Sequence, residues 1–163
     1  MIEHSRSTLI EDELDLHGVY ASTTSGVSMQ PLFKTHRDVV IIAKPTGELK
    51  KYDVALYRSP AGKYILHRVV KVLDDEYLIR GDNTYVIEHI SKDRIIGVLV
   101  EFNRKGKRQK CTDKSYMAYS RFWNFIYPLR FVVYHIRRFL GKVWRKLIKY
   151  RIEFSLSLAF ISF

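Results

Sequence analysis

Residues 64–72 read Tyr64-Ile65-Leu66-His67-Arg68-Val69-Val70-Lys71-Val72. The run alternates and is rich in β-branched residues, which marks a strand rather than a helix. Alternation puts His67 on the face that carries Ile65 and Val69, opposite Leu66 and Arg68. Comparable short runs flank it. Val54-Ala55-Leu56-Tyr57 stops at Ser59-Pro60-Ala61-Gly62, and Tyr77-Leu78-Ile79 runs into Gly81-Asp82-Asn83. Val39-Val40-Ile41-Ile42 and Ile95 to Phe102 complete five short strands. Strands at this spacing predict a mainly β fold, a small and strongly bent sheet or partial barrel with helices at its ends.

Working outward, Ser7 or Thr8 can cap a short helix through about Leu16, because Leu9, Ile10, Leu14 and Leu16 recur at roughly helical spacing and Gly18 follows. Residues 19–31, VYASTTSGVSMQP, are small and hydroxyl-rich and read as a strand running into a turn. Beyond Arg104 the texture changes. RKGKRQK reads as a solvated basic loop, residues 116–127 are crowded with aromatics, and Pro128 opens an amphipathic helix of about 20 residues. Its apolar positions are Leu129, Val132, Val133, Ile136, Leu140, Val143, Trp144 and Leu147. Arg130, Arg137, Arg138, Lys142, Arg145 and Lys149 occupy the other side. The expected organisation is a helix over 1–18, a β-rich body over 19–103 and a basic helical tail over 104–163.

Charge follows the same division. The net +11 of this 163-residue chain is not spread evenly. Residues 1–103 hold 13 Lys and Arg against 15 Asp and Glu, whereas residues 104–151 hold 15 Lys and Arg against Asp113 alone. A nearly neutral body thus carries a strongly cationic tail. The lone Cys111 excludes an internal disulfide framework and a Cys-based zinc site. No metal or cofactor is expected. The acidic start, MIEHSRSTLIEDELDL, lacks the order of a secretory signal, and no apolar run reaches 18 residues. The expected location is cytoplasmic, or peripheral at the inner face of the cytoplasmic membrane.

Three stretches carry candidate chemistry. In Ser25-Gly26-Val27-Ser28-Met29-Gln30-Pro31, a Ser at a strand-to-turn break can present its hydroxyl beyond the sheet and aim its own N–H at an oxyanion; the plainer reading is a hydroxyl-rich loop. His67 is either a half-buried sheet residue or a base reaching a Ser delivered from a neighbouring strand end. Gly81-Asp82-Asn83 is ordinary turn chemistry, but Asp82 can also orient an imidazole and stabilise its cation. A Ser nucleophile, a base and an orienting acid have the required roles for acyl transfer.

SGVSMQP, HRDVVII, LHRVVKV, RGDN and DRIIGVLV, in that order, resemble the signal peptidase I superfamily, which includes the self-cleaving SOS repressors. The resemblance covers about residues 22–102 and implies a bent β fold and peptide-bond hydrolysis. It implies Ser28 as nucleophile and His67 as base, the latter as in archaeal and endoplasmic-reticulum-type signal peptidases rather than the Lys of typical bacterial ones. Of the two acids in such relatives, Asp82 matches the first and is favoured as the partner of His67; Glu88 falls at the second and is the alternative. The Ser28 backbone N–H would supply part of the oxyanion hole. No transmembrane anchor or DNA-binding domain is expected in the residues before the Ser box, a departure from the family, and Gly26 offers no hydroxyl where some relatives have Ser.

The implied partner is a peptide or protein precursor, cleaved at a leader or signal segment near the membrane. Two other functions stay open: a non-catalytic binding module on a degenerate peptidase fold, and a self-cleaving regulator. For the tail, residues 113–151 suit an anionic membrane surface through Trp123, Arg137, Arg138, Lys142, Trp144, Arg145 and Lys149. Packing on protein is the second option, and nucleic acid the least favoured of the three.

Overall fold

The structure, a computed structural model, describes the backbone over residues 3–161 and side chains over residues 10–149. The N-terminal helix begins at Glu3, so Ser7 and Thr8 lie inside it and neither is the expected cap; the side chains of the terminal FSLSLAFISF lie outside the described side chains. The chain divides into two compact units, Met1–Asn124 and Phe125–Phe163.

In the first unit, α1 (Glu3–His17) is followed by β1 (Val19–Thr23), β2 (Val39–Ala43), β3 (Val54–Arg58), β4 (Tyr64–Val72), β5 (Glu76–Arg80), β6 (Glu88–Ser91), β7 (Ile95–Arg104), β8 (Lys107–Lys110) and α2 (Lys114–Phe125). The fold is mainly β. Its eight strands form one antiparallel sheet in the order β1-β2-β7-β3-β4-β5-β6, with β8 added to β7. The helix α1 ends where expected: Gly18 takes φ +72° and its N–H bonds Leu14 O at 3.0 Å, a left-handed termination that glycine adopts without a Cβ penalty.

Two strands and a boundary differ from the sequence expectation. RKGKRQK is a tight hairpin, not a loop. Lys105 and Gly106 both have positive φ, the conformation whose twist matches that of paired strands, and β8 sets Lys110 against Glu101 and Arg108 against Asn103. The Arg108 guanidinium bonds the buried Glu101 carboxylate, so opposite charge offsets the weak strand propensity of the basic run. The strand β6 has one buried apolar residue, Ile90, and therefore no legible apolar pattern. Because β8 and α2 belong with the body, the boundary expected at residue 104 falls after Asn124.

The core fills both faces of the sheet. One cluster joins Leu14, Phe33, Ile42, Leu56, Phe102 and Tyr116, with Phe33 and Phe102 edge-to-face at 5.2 Å between centroids. The other joins Leu49, Ala55, Tyr57, Val69, Tyr77 and Ile79. Each fully buried aliphatic or aromatic side chain contributes about 1.5–3 kcal/mol relative to exposure. Alternation along β3 sorts its residues between the clusters: Val54 and Leu56 go to the first, Ala55 and Tyr57 to the second.

The second unit is α3 (Tyr127–Ile161), one continuous helix beginning one residue before Pro128. Pro suits the first turn of a helix, where its missing N–H has no partner to lose. Among the described residues, no helix is long and apolar enough to cross a membrane.

Candidate active site

His67 lies in the middle of β4, opposite Ala55 of β3, and is 7% exposed. Its Nδ1 lies 2.9 Å from Glu88 Oε1 and 3.2 Å from the Tyr57 hydroxyl. The sheet register explains the meeting. Val69 of β4 pairs with Ile79 of β5, and Ile79 pairs with Glu88 of β6, so one row of side chains crosses three strands. Tyr57 is the diagonal neighbour of His67 on the other flank, two residues along β3 from Ala55. The two rings are tilted edge-to-face with centroids 6.2 Å apart. Nδ1–H therefore donates to the Glu88 carboxylate, leaving Nε2 as the acceptor, the tautomer a base needs.

Burial dominates the titration of His67 and lowers its pKa below 6.5, against the opposing pull of Glu88 and, more weakly, Asp82. The imidazole is accordingly neutral near pH 7. Burial, followed by the hydrogen bond and charge of Glu88, drives the Tyr57 phenol far upward, so it remains protonated and acts as a donor.

Ser28 opens the turn that follows β1. Gly26, at φ +88°, reverses the chain just before it, and the buried Met29 and Phe33 anchor the segment beyond it in the core. The turn closes through Gln30 N–H to Val27 O at 3.1 Å and Phe33 N–H to Met29 O at 3.1 Å. Among the described residues neither the Ser28 hydroxyl nor its N–H has a hydrogen-bond partner. The Ser28 carbonyl accepts the Asn83 N–H at 2.7 Å, and the Asn83 side chain bonds Val27 O at 3.2 Å. The turn after β5 thus clamps the turn that carries Ser28.

Gly81 sits between the two candidate groups. A Cβ there would lie 2.7 Å from Ser28 O and 3.0 Å from His67 Nε2. Nε2 and the Ser28 carbonyl thus both border the space beside Gly81. Ser28 and His67 line one cavity of about 400 Å³, together with Tyr20, Met29, Val40, Leu56 and other largely apolar side chains.

Asp82, favoured from sequence as the partner of His67, is bound elsewhere. Both its oxygens accept from Arg68, at 2.8 Å from Nε and 2.8 Å from Nη2. Arg68 is fully buried and also donates to Tyr52 O, the Tyr116 hydroxyl and Ser120 Oγ. Tyr119 donates to Asp82 Oδ2 at 3.2 Å, and the Trp123 indole donates to Asp82 O at 2.9 Å. Burial works against the Arg68 charge, but Asp82 outweighs it and raises the guanidinium pKa. The pair ties β4, the end of β5 and α2 together, while Glu88 takes the position at the imidazole. Alternation separates the two acids: Asp82 serves the Arg68 face, and Glu88, in the row of Val69 and Ile79, shares the face of His67.

Trp123, read from sequence as part of a membrane face, is half-buried in the first unit and stacked on Tyr119 at 5.9 Å between centroids. Arg137, Arg138, Lys142, Trp144, Arg145 and Lys149 all lie on α3 and are exposed. Cys111 packs against the first core cluster, where burial raises its thiol pKa to about 12 and keeps it protonated. Tyr57 was not a sequence candidate. Its signal was available only as a Tyr at the end of an apolar strand, a pattern common to core residues. Among the described residues no group of His, Cys, Asp and Glu could hold a metal ion. Compared with known proteins, the chain matches no protein-family model and no curated protein.

Proposed function

We propose that the protein is a serine endopeptidase of the signal peptidase type, which hydrolyses a peptide bond in a peptide or protein precursor. The observation that carries this reading is the His67 side chain: Nδ1 rests on Glu88 at 2.9 Å, while Nε2 and the Ser28 carbonyl both border the space beside Gly81 and the two residues line one cavity. In the proposed reaction Ser28 Oγ attacks the scissile carbonyl as His67 Nε2 takes its proton. Glu88 stabilises the imidazolium that forms, and the Ser28 N–H donates to the developing oxyanion. His67 then protonates the leaving amine. Water, deprotonated by the same nitrogen, attacks the acyl-enzyme carbonyl and releases Ser28.

The test is cleavage of a peptide library by the full chain, comparing wild type with Ser28→Ala and His67→Ala. Wild type is expected to cleave, and each variant to lose several orders of magnitude in kcat/KM. Equal cleavage by all three proteins would refute the assignment. No cleavage by wild type would favour a binding module that retains only the arrangement of side chains.

A further inference from the structure

We propose that α3 is an interfacial helix that lies in the plane of an anionic lipid bilayer. This inference does not rest on the peptidase reading. At 100° per residue, Leu129, Val132, Ile136, Leu140, Val143 and Leu147 fall on one arc of α3. All of them are exposed, as is Trp144 at 66%. Between residues 127 and 149 the helix carries seven Lys and Arg and no Asp or Glu. Arg138, Lys142, Arg145 and Lys149 fall opposite the apolar arc.

Charge complementarity selects the occupant. A second copy of this chain would bring two sets of cations together with no acid between them. Nucleic acid would neutralise the cations but leave the apolar arc in water. An anionic bilayer satisfies both arcs, because the apolar one sinks to the acyl boundary while lipid phosphates meet the other. Cations spread along the whole described length oppose a crossing orientation, since each is costly at the bilayer centre. Trp144 and Tyr134 have the amphipathic rings that sit at head-group depth.

The test uses the full chain with vesicles of phosphatidylcholine alone, or of an equal mixture of phosphatidylcholine and phosphatidylglycerol, at about 0.15 M salt. Binding is expected to the mixed vesicles and to be much weaker with phosphatidylcholine alone. Tryptophan emission should shift to the blue on binding. That shift should vanish in Trp144→Phe while binding persists, because Trp123 is already held by Asp82. Arg137→Gln, Arg138→Gln and Lys142→Gln combined should weaken binding about 100-fold, and Leu140→Glu with Val143→Glu should abolish it. Circular dichroism checks that each variant keeps its helix. If a variant fails to fold, wild-type binding must still fall as salt approaches about 1 M. The proposal is overturned by no binding to the mixed vesicles, by undiminished binding of the variant with both Leu140→Glu and Val143→Glu, or by binding to RNA without binding to vesicles. A stable dimer that ignores vesicles would also overturn it, assigning the apolar arc to a second copy.

Discussion

Glu88 Oε1 lies 2.9 Å from His67 Nδ1, and this contact crosses a strand that contributes neither residue. Asp82, nearer in sequence, is committed to Arg68. Substituting the two acids should therefore have different consequences. Glu88→Gln is expected to lower kcat/KM by about 10³–10⁴-fold, by allowing the wrong imidazole tautomer, with little change in the denaturation midpoint. Asp82→Asn leaves a buried guanidinium without its counter-charge and is expected to cost about 3–5 kcal/mol in stability. Equilibrium denaturation beside steady-state kinetics separates these effects. The assignment fails if Asp82→Asn is the variant that keeps its stability and loses its rate.

The pH profile follows from the environment of His67. A base must be neutral, and burial lowers its pKa below 6.5. The acid limb of kcat/KM should thus have its midpoint below 6.5, with the rate level by neutral pH. In Glu88→Gln the limb should move lower still, because Glu88 favours the imidazolium. Stability has the matching sign. Well above pH 6.5 neither folded nor unfolded His67 is appreciably protonated. As pH falls through 6.5 the unfolded chain takes up the proton first, and the folded state loses stability until the folded pKa is reached. Titration of the His67 ring signals by NMR measures the folded value directly, and a value above 6.5 would contradict the burial argument.

Tyr57 positions the acid rather than acting on substrate. Its hydroxyl lies 3.2 Å from His67 Nδ1, the nitrogen that rests on the Glu88 carboxylate, and that carboxylate helps raise the phenol pKa. Tyr57→Phe keeps the buried ring and removes the donor. About 1 kcal/mol of stability should be lost with the hydrogen bond. A Glu88 carboxylate relieved of that donor attracts the imidazolium more strongly, so the acid limb should move up in pH. A purely structural Tyr57 would leave the limb in place, and NMR titration of His67 reads this even in an inactive protein.

Gly81→Ala tests the close approach of the two turns. The new Cβ would meet Ser28 O at 2.7 Å, a backbone atom that cannot rotate away, and His67 Nε2 at 3.0 Å. A loss of about 1–3 kcal/mol is expected from overpacking, with a fall in kcat/KM as Ser28 and His67 separate. Gly47→Ala, where nothing lies within 4 Å, is the control and should leave the rate unchanged. Full activity in Gly81→Ala would show that the spacing between the turns is not critical.

The strands with apolar runs were legible from the order of residues because burial of one face demands period two. Thus Tyr64 to Val72 appears as β4, and Gly18, which takes the left-handed turn without a Cβ penalty, marks the end of α1. The amphipathic helix was equally visible, since its arcs are set by helical period and not by neighbours. The polar strands were hidden. Glu88–Ser91 and Lys107–Lys110 pair through register and charge, which involve residues distant in the chain. The same holds for the candidate site. Sequence alone determined that a Ser beside a strand end, a His within a strand and an acid in a turn stand in a β-rich body, and that His67 and Arg68 face opposite ways. Only the tertiary structure decided which acid each receives: Asp82 is bound to Arg68 on one face, and the row from Val69 through Ile79 delivers Glu88 to His67 on the other. Such pairings depend on strand order, a property that no local pattern of residues encodes.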